Sequence, residues 1–294
     1  MITSLGAKTE VLIEALPYIS RYEGKTFVVK YGGAAMVDDE LKEAFAQDVT
    51  LLKKIGINVA IVHGGGKEIT GMATKLGLET RFVNGQRYTD APMMDVVQMV
   101  LAGKTNKEIV GRINRHDGDA VGLCGIDAHL LKVKKFEEGG VDLGLVGEIT
   151  GVNTVYLNLL LNNRIMPVIA PIGVNDASEP HNVNADVAAS AIAAELKAEK
   201  LVFLSDVEGV MAADLLVPSM DQTTAERLMA DGVISDGMIP KIRSAFRALR
   251  AGVNKVHLID GRIKHSILLE IFTDLGIGTE LVHAGQEAAQ VARG

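Results

Sequence analysis

Phe27-Val28-Val29-Lys30-Tyr31-Gly32-Gly33 and Val59-Ala60-Ile61-Val62-His63-Gly64-Gly65-Gly66 decide the reading of this chain. Each is an apolar strand that runs straight into paired or tripled glycine, where bare backbone N–H groups can approach an anion. The first strand also delivers a lysine at its carboxyl end. Burying that ammonium is costly unless it meets an anion or opens into a cleft, so the pair of turns points to phosphate chemistry. Open α/β sheets bind ligands at that edge.

The rest of the 294 residues repeats the pattern, alternating apolar strands with amphipathic helices, which predicts one large α/β unit or two lobes. Hydrophobic residues make up 48% of the chain, tryptophan is absent and glycine occurs 31 times, a composition that suits a parallel sheet rather than a β-sandwich. A net charge of −7 argues against non-specific binding to nucleic acid or to acidic membranes. The single cysteine, Cys124, cannot form an intrachain disulfide and reads as a packed thiol at a strand end. No histidine pair has H-x-x-x-H spacing, and no apolar run approaches the roughly eighteen residues of a membrane helix. The amino terminus lacks a basic start followed by an apolar stretch, so a cytoplasmic, reducing location is expected.

Strands are expected at 26–31, 57–62, 120–124, 166–172, 201–206 and 255–259. Helices are expected at 38–55, 67–76, 91–116, 154–162, 185–196, 223–230, 238–251 and 264–273. The segments 129–136 and 145–150 flank a Glu-Glu-Gly-Gly turn and predict a hairpin over a site. Residues 9–22 carry one apolar stripe, Val11, Leu12, Ala15, Leu16 and Ile19, interrupted by Pro17, which predicts a kink or a break. That stripe needs a partner, either another subunit or the chain's own body. The domain reading is 1–22 as an N-terminal oligomerisation helix, 23–197 as an N-terminal lobe and 198–294 as a C-terminal lobe.

Several familiar motifs fail. Gly103-Lys104-Thr105 resembles the tail of a P-loop, but Gln98 stands where the leading glycine belongs and the segment reads as helix. No strand is followed by a complete G-x-G-x-x-G, and G-x-S-x-G is absent. Lys241 is different: it follows Asp236-Gly237-Met238-Ile239-Pro240 near a helix amino terminus, where a cation is unfavourable unless a bound polyphosphate reverses the sign. Asn184 is placed to cap the helix that starts at Ala185, with Asp186 in its first turn.

Taken in order, these segments resemble the amino-acid kinase family. The residues that carry the likeness are Val29 to Gly33, Val62 to Gly66, Asn84-Gly85-Gln86-Arg87, Asn182 to Asp186, Leu204-Ser205-Asp206-Val207-Glu208-Gly209 and Asp236 to Lys241. The resemblance implies an open, mostly parallel sheet sandwiched between helices, two lobes and a protruding N-terminal helix. It implies N-acetyl-L-glutamate bound in the first lobe and ATP, with Mg²⁺ as its companion ion, in the second. No tightly bound protein metal site is expected.

On that resemblance Lys30 and Lys241 straddle the transferred phosphoryl group and Asp186 holds them in register. Gly32, Gly33, Ser205 and Asp206 serve the nucleotide, while Gly65, Gly66, Arg87 and Asn182 serve the acceptor. The acceptor γ-carboxylate is already ionised at neutral pH, so the reaction needs no general base. The product would be an acyl phosphate on the route to arginine. The N-terminal helix and residues 257–279 are similar to those of arginine-inhibited members, which interlace as homohexamers, trimers of dimers. That likeness places L-arginine beside Lys200, His257, Glu270 and Gly276. Neither nucleic acid nor membrane is expected as a partner.

Overall fold

The computed structural model describes residues 13–83, 85–137, 142–235, 237–273 and 276–285. In chain order, α1 (residues 13–22) precedes β1 (Thr26–Tyr31), a 3-10 turn at Gly33–Met36, α2 (Asp39–Lys54), β2 (Asn58–His63) and α3 (Gly66–Lys75). The short strands β3 (Phe82–Val83) and β4 (Gln86–Arg87) lead into α4 (Ala91–Gln98), a π-helical segment at Met99–Thr105 and α5 (Asn106–Arg115). Next come β5 (Ala120–Cys124), β6 (Leu131–Lys135), β7 (Gly147–Val152), α6 (Thr154–Asn162), β8 (Met166–Ala170), β9 (Ile172–Val174), β10 (Pro180–Asn182) and α7 (Ala185–Glu195). The final part holds β11 (Lys200–Ser205), β12 (Met211–Ala212), β13 (Leu215–Leu216), β14 (Ser219–Met220), α8 (Gln222–Ala230), α9 (Met238–Arg250), β15 (Lys255–Asp260), α10 (Ser266–Ile271) and β16 (Thr279–Leu281).

The main sheet has the order β14-β16-β15-β11-β1-β2-β8-β5, with every pairing parallel except β15 against β16. Its strands are apolar on both faces because helices cover both. Successive side chains alternate faces, and the core divides accordingly. Val28, Ala60, Val62, Leu201 and Phe203 pack with α7 and α9. Phe27, Val29, Tyr31, Ile61, Val202 and Leu204 pack with α2, α5 and α10. The expected α/β sandwich is therefore the observed fold.

The structure departs from the sequence reading at definable places. The strand expected over 166–172 is two strands, because Pro171 has no N–H for the ladder and the chain changes sheets there. The long helix expected over 91–116 is interrupted by the π-helical segment at Met99–Thr105. The stretch read as irregular around 211–222 contains the β12–β13 pair and β14, which joins the sheet edge.

Residues 13–22 are helical through Pro17 without the break that proline predicts. The carboxyl end of α1 packs on the body: Tyr22 is buried in the core and the Tyr18 ring meets Phe272 edge-on at 6.4 Å. Ile13 and Leu16 remain exposed, while Val11 and Leu12 lie outside the described residues.

The predicted hairpin forms as the antiparallel β6–β7 pair, its Glu-Glu-Gly-Gly turn falling largely outside the described residues. Just before β7, Leu145 and Asn182 share a hydrogen bond of 2.8 Å, so the hairpin is tied to β10. Asn84 and Asp236 of the quoted motifs also lie outside the described residues.

Candidate active site

Strand periodicity aims Lys30. Val28 and Lys30 point to the same face of β1, the one covered by α7 and α9, and those helices carry Asp186 and Lys241. Lys30 Nζ lies 2.9 Å from Asp186 Oδ1, and Lys241 Nζ lies 3.1 Å from Asp186 Oδ2. Asp186 stays where both lysines can reach it because Asn184 caps α7, its side chain accepting from the N–H groups of Asp186 at 2.8 Å and Val187 at 3.2 Å. Alanine-rich α7 packs closely on α9, and the Ser190 and Ser244 hydroxyls meet across that contact at 2.9 Å.

The electrostatics follow from this bridge. Burial by itself would raise the Asp186 carboxyl, but the two ammonium groups outweigh it and hold its pKa below the usual carboxylate range. Burial lowers the Lys241 pKa, opposed by Asp186 and reinforced by the nearby charge of Lys30. Two cations thus share one anion at the carboxyl end of β1, with the Asp206 carboxylate near enough to act on Lys241 as well. Two ammonium groups held at one sheet edge can stabilise charge on a phosphoryl group.

Gly32 and Gly33 leave room for the side chains above the turn. A Cβ on Gly32 would come within 2.8 Å of Lys30 Nζ, so glycine lets the lysine fold back over the turn. Gly33 has φ +69°, and a Cβ there would collide with the Asp206 carboxylate. Asp206 accepts a hydrogen bond from the Ala34 N–H, which ties the glycine turn to the end of β11, where Ser205 is buried.

The second glycine turn opens on a cleft of about 220 Å³, lined by Gly64 to Gly66, Arg87, Val146, Asn182 and neighbouring residues. That is smaller than the roughly 300 Å³ of a drug-sized site and suits a small metabolite. Arg87 is buried in its wall. Its Nη2 donates to Gly66 O and Thr70 Oγ1, each at 2.9 Å, and the guanidinium lies 4.8 Å from the Phe82 ring centroid. Its Nη1 is buried with no hydrogen-bond partner. A buried guanidinium with one nitrogen satisfied and another unpaired has the donor capacity to take a carboxylate. Across the cleft, Asn182 donates to Thr89 Oγ1 at 3.2 Å, which fixes its amide.

Lys200, His257, Glu270 and Gly276 also come together, but at the opposite end of the sheet. Lys200 Nζ lies 2.7 Å from His257 Nε2, and His257 Nδ1 lies 2.6 Å from Glu270 Oε1. Glu270 Oε2 accepts from the N–H groups of Ile277 at 2.7 Å and Gly278 at 3.0 Å. Gly276 has φ +61°, and a Cβ there would press on the same carboxylate oxygen at 2.8 Å. Burial lowers the Lys200 pKa to about 8.

Sequence reading missed the Thr70 hydroxyl and the Gly66 carbonyl that aim Arg87. It also missed the contact between Asp206 and the Ala34 N–H. Nothing in the local sequence signals either, because each joins segments that only the fold brings together.

Residues 25–260 match the amino acid kinase family. The chain belongs to that family, and it is a phosphotransferase. Acetylglutamate kinase of Chlorobaculum tepidum is 54% identical over 273 residues, 93% of this chain and 95% of that protein. Acetylglutamate kinase of Aquifex aeolicus is 54% identical over 289 residues, covering 93% and 97% respectively. Among solved structures, N-acetylglutamate synthase from Neisseria gonorrhoeae with coenzyme A and N-acetyl-glutamate superposes with a TM-score of 0.84 at 26% identity. The likeness covers 93% of this chain and spans 63% of that one. Carbamate kinase from Giardia lamblia bound to AMP-PNP shares the fold, with a TM-score of 0.64 at 15% identity, over 88% of this chain and 99% of that one.

Proposed function

We propose that this protein transfers the γ-phosphoryl group of ATP to the γ-carboxylate of N-acetyl-L-glutamate, forming N-acetyl-L-glutamyl 5-phosphate on the way to arginine, and that L-arginine inhibits it. The observation that carries the acceptor is the Arg87 guanidinium in the wall of a small cleft beside the Gly65–Gly66 turn, with its Nη1 unpaired. The relatives named acetylglutamate kinase, matched along nearly their whole length, support the same acceptor.

In this reading Arg87 grips the acceptor α-carboxylate and Asn182 its acetamido group. The acceptor's other carboxylate then attacks phosphorus in line, and the bond to the ADP oxygen breaks as the new P–O bond forms. Both reactants are anionic, so their repulsion is the main obstacle. Lys30 and Lys241 offset it from two sides, and Asp186 keeps them from drifting. No proton moves, so the transfer asks for no general base. Among the described residues no group of three or more His, Cys, Asp or Glu side chains could hold a metal. ATP would bring Mg²⁺ on its own phosphates, where the ion neutralises charge, and this chain would offer it the Asp206 carboxylate.

The lobes divide near residue 197, the first holding the acceptor and the second the nucleotide. Arginine is assigned to the Lys200–His257–Glu270–Gly276 cluster, where Glu270 would meet its cationic end. The exposed Ile13 and Leu16 on α1 are assigned to contacts between dimers in a hexamer, and the enzyme to the cytoplasm. The experiment is an acceptor panel of N-acetylglutamate, glutamate, aspartate and carbamate with ATP, trapped by hydroxylamine, with and without arginine. ATP-dependent hydroxamate from N-acetylglutamate alone, suppressed by arginine, is expected. No hydroxamate from it overturns the reading.

A further inference from the structure

His63 ends β2 on the α5 face of the sheet, opposite Tyr31 in register, and is fully buried. The reaction just described gives it no task. Its Nδ1 lies 2.7 Å from the Gly64 carbonyl oxygen, and its Nε2 lies 3.2 Å from Asn106 Nδ2. A carbonyl oxygen can only accept, so Nδ1 carries the hydrogen and Nε2 accepts from the Asn106 amide.

Asn106 is fixed from every side. Its Nδ2 also donates to Val168 O at 2.9 Å, and its Oδ1 accepts from Lys107 Nζ at 3.1 Å, so amide nitrogen and oxygen cannot exchange places. Gly122 leaves it room, since a Cβ there would collide with Asn106 Oδ1. Burial lowers the His63 pKa to about 4, which keeps the ring neutral at physiological pH.

The consequence falls on the glycine turn. A trans peptide is planar, with its C=O and N–H pointing in opposite directions. Because the Gly64 carbonyl is turned to the imidazole, the Gly65 N–H is turned away from it, and Gly64, Gly65 and Gly66 line the acceptor cleft. Among the described residues neither the Gly65 nor the Gly66 N–H donates to a protein acceptor. The π-helical segment that ends at Thr105, next to Asn106, sets the Leu101 side chain over Gly65, whose φ is +155° and where a Cβ would meet it. A π segment that packs on the glycine turn and delivers the chain to Asn106, which holds the histidine, is an irregularity with a use.

We propose that His63, held in its Nδ1–H form by Asn106, is a positioning residue that orients the Gly64–Gly65 peptide so that its N–H donates to the charge passing between phosphoryl group and acceptor. This rests on the kinase reading above.

The test compares two amides. Asn places an N–H donor near the position of Nδ1, whereas Gln reaches toward Nε2 and leaves Gly64 without its donor. His63→Asn is expected to keep kcat within about threefold, while His63→Gln loses about tenfold to a hundredfold in kcat with KM for ATP unchanged. The two variants should melt at similar temperatures. Equal kcat values for the pair, or a His63→Gln loss matched by an equal loss of thermal stability, overturn the proposal.

Should either variant fail to fold, ¹⁵N solid-state NMR of histidine-labelled wild-type protein reads the ring directly, with the His63 signal assigned by its shift in Asn106→Ala. A neutral Nδ1–H tautomer from pH 6 to 8 is expected, and an Nε2–H tautomer or an imidazolium overturns it. Failure of the kinase reading is separate: wild-type protein inactive on N-acetylglutamate but active on another acceptor changes the substrate, and the same kinetic comparison is then made on that acceptor.

Discussion

Lys200 and Ser205 begin and end the same strand, β11, and belong to two different clusters. Five residues of strand separate them by about 17 Å. Ser205 stands at the carboxyl edge beside Asp206 and the glycine turn, while Lys200 stands at the amino edge against His257. A ligand at Lys200 therefore cannot touch the phosphoryl group. Any influence of such a ligand on turnover would have to pass through the strand and the helices packed on it.

Lys30→Ala and Lys241→Ala should each lower kcat by roughly a thousandfold or more, because each removes one of two cations placed for the transferred charge. Thermal melting should show a folded protein in both cases. Near-normal hydroxamate production by either variant would remove that lysine from the mechanism.

Arg87→Lys should raise KM for the acceptor by about tenfold to a hundredfold with KM for ATP unchanged, since an ammonium cannot satisfy Gly66, Thr70 and a carboxylate at once. Steady-state kinetics with each substrate varied in turn decide this. A rise in KM for ATP instead would place Arg87 on the wrong substrate.

Gly33→Ala should destabilise by about 1–2 kcal/mol from backbone conformation alone, and the added Cβ would also displace Asp206 from Ala34. Its KM for ATP should rise. Gly85, whose φ is +77° but which meets nothing within 4 Å, provides the control: Gly85→Ala carries the backbone cost without the displacement.

Lys200 gives a pH signature. Its folded pKa of about 8 lies below the ordinary 10.5, so the fold opposes its protonation. That penalty is complete below pH 8 and is relieved as pH rises toward 10.5. Lys200→Met escapes it, so the stability difference between variant and wild type should shift in favour of wild type between pH 7.5 and 10. Urea unfolding at both pH values measures it, and a difference that does not change with pH would refute the buried charge. Glu270→Gln should weaken arginine inhibition by about tenfold or more through loss of the anion, read as the arginine concentration for half-inhibition.

The assembly can be tested without damaging the core. Tyr22 is buried and Tyr18 contacts Phe272, so a deletion of residues 1–16 spares both. The truncated protein should sediment as a dimer and respond weakly to arginine. A truncated hexamer would show that α1 does not join the dimers.

The sequence by itself determined the main strands and helices, the two glycine turns and the lysine just before the first of them, because these are local matters of hydrophobic period, backbone freedom and the cost of a buried charge. The face on which Lys30 would point was also implicit in the alternation Val28, Val29, Lys30. Only tertiary structure decided what waits on that face. Asp186 and Lys241 reach Lys30 because α7 and α9 pack on the same side of the sheet, and no local pattern specifies which helices share a side. The same holds for Thr70 behind Arg87, Asn106 behind His63 and Asp206 over Gly33, all contacts between distant segments. The π segment escaped sequence reading for a different reason: its extra residue leaves the apolar pattern of residues 91–116 looking helical throughout. The glycine turns and Lys30 could point to an anion, but only packing could set two cations 2.9 and 3.1 Å from one carboxylate and leave one guanidinium nitrogen unpaired.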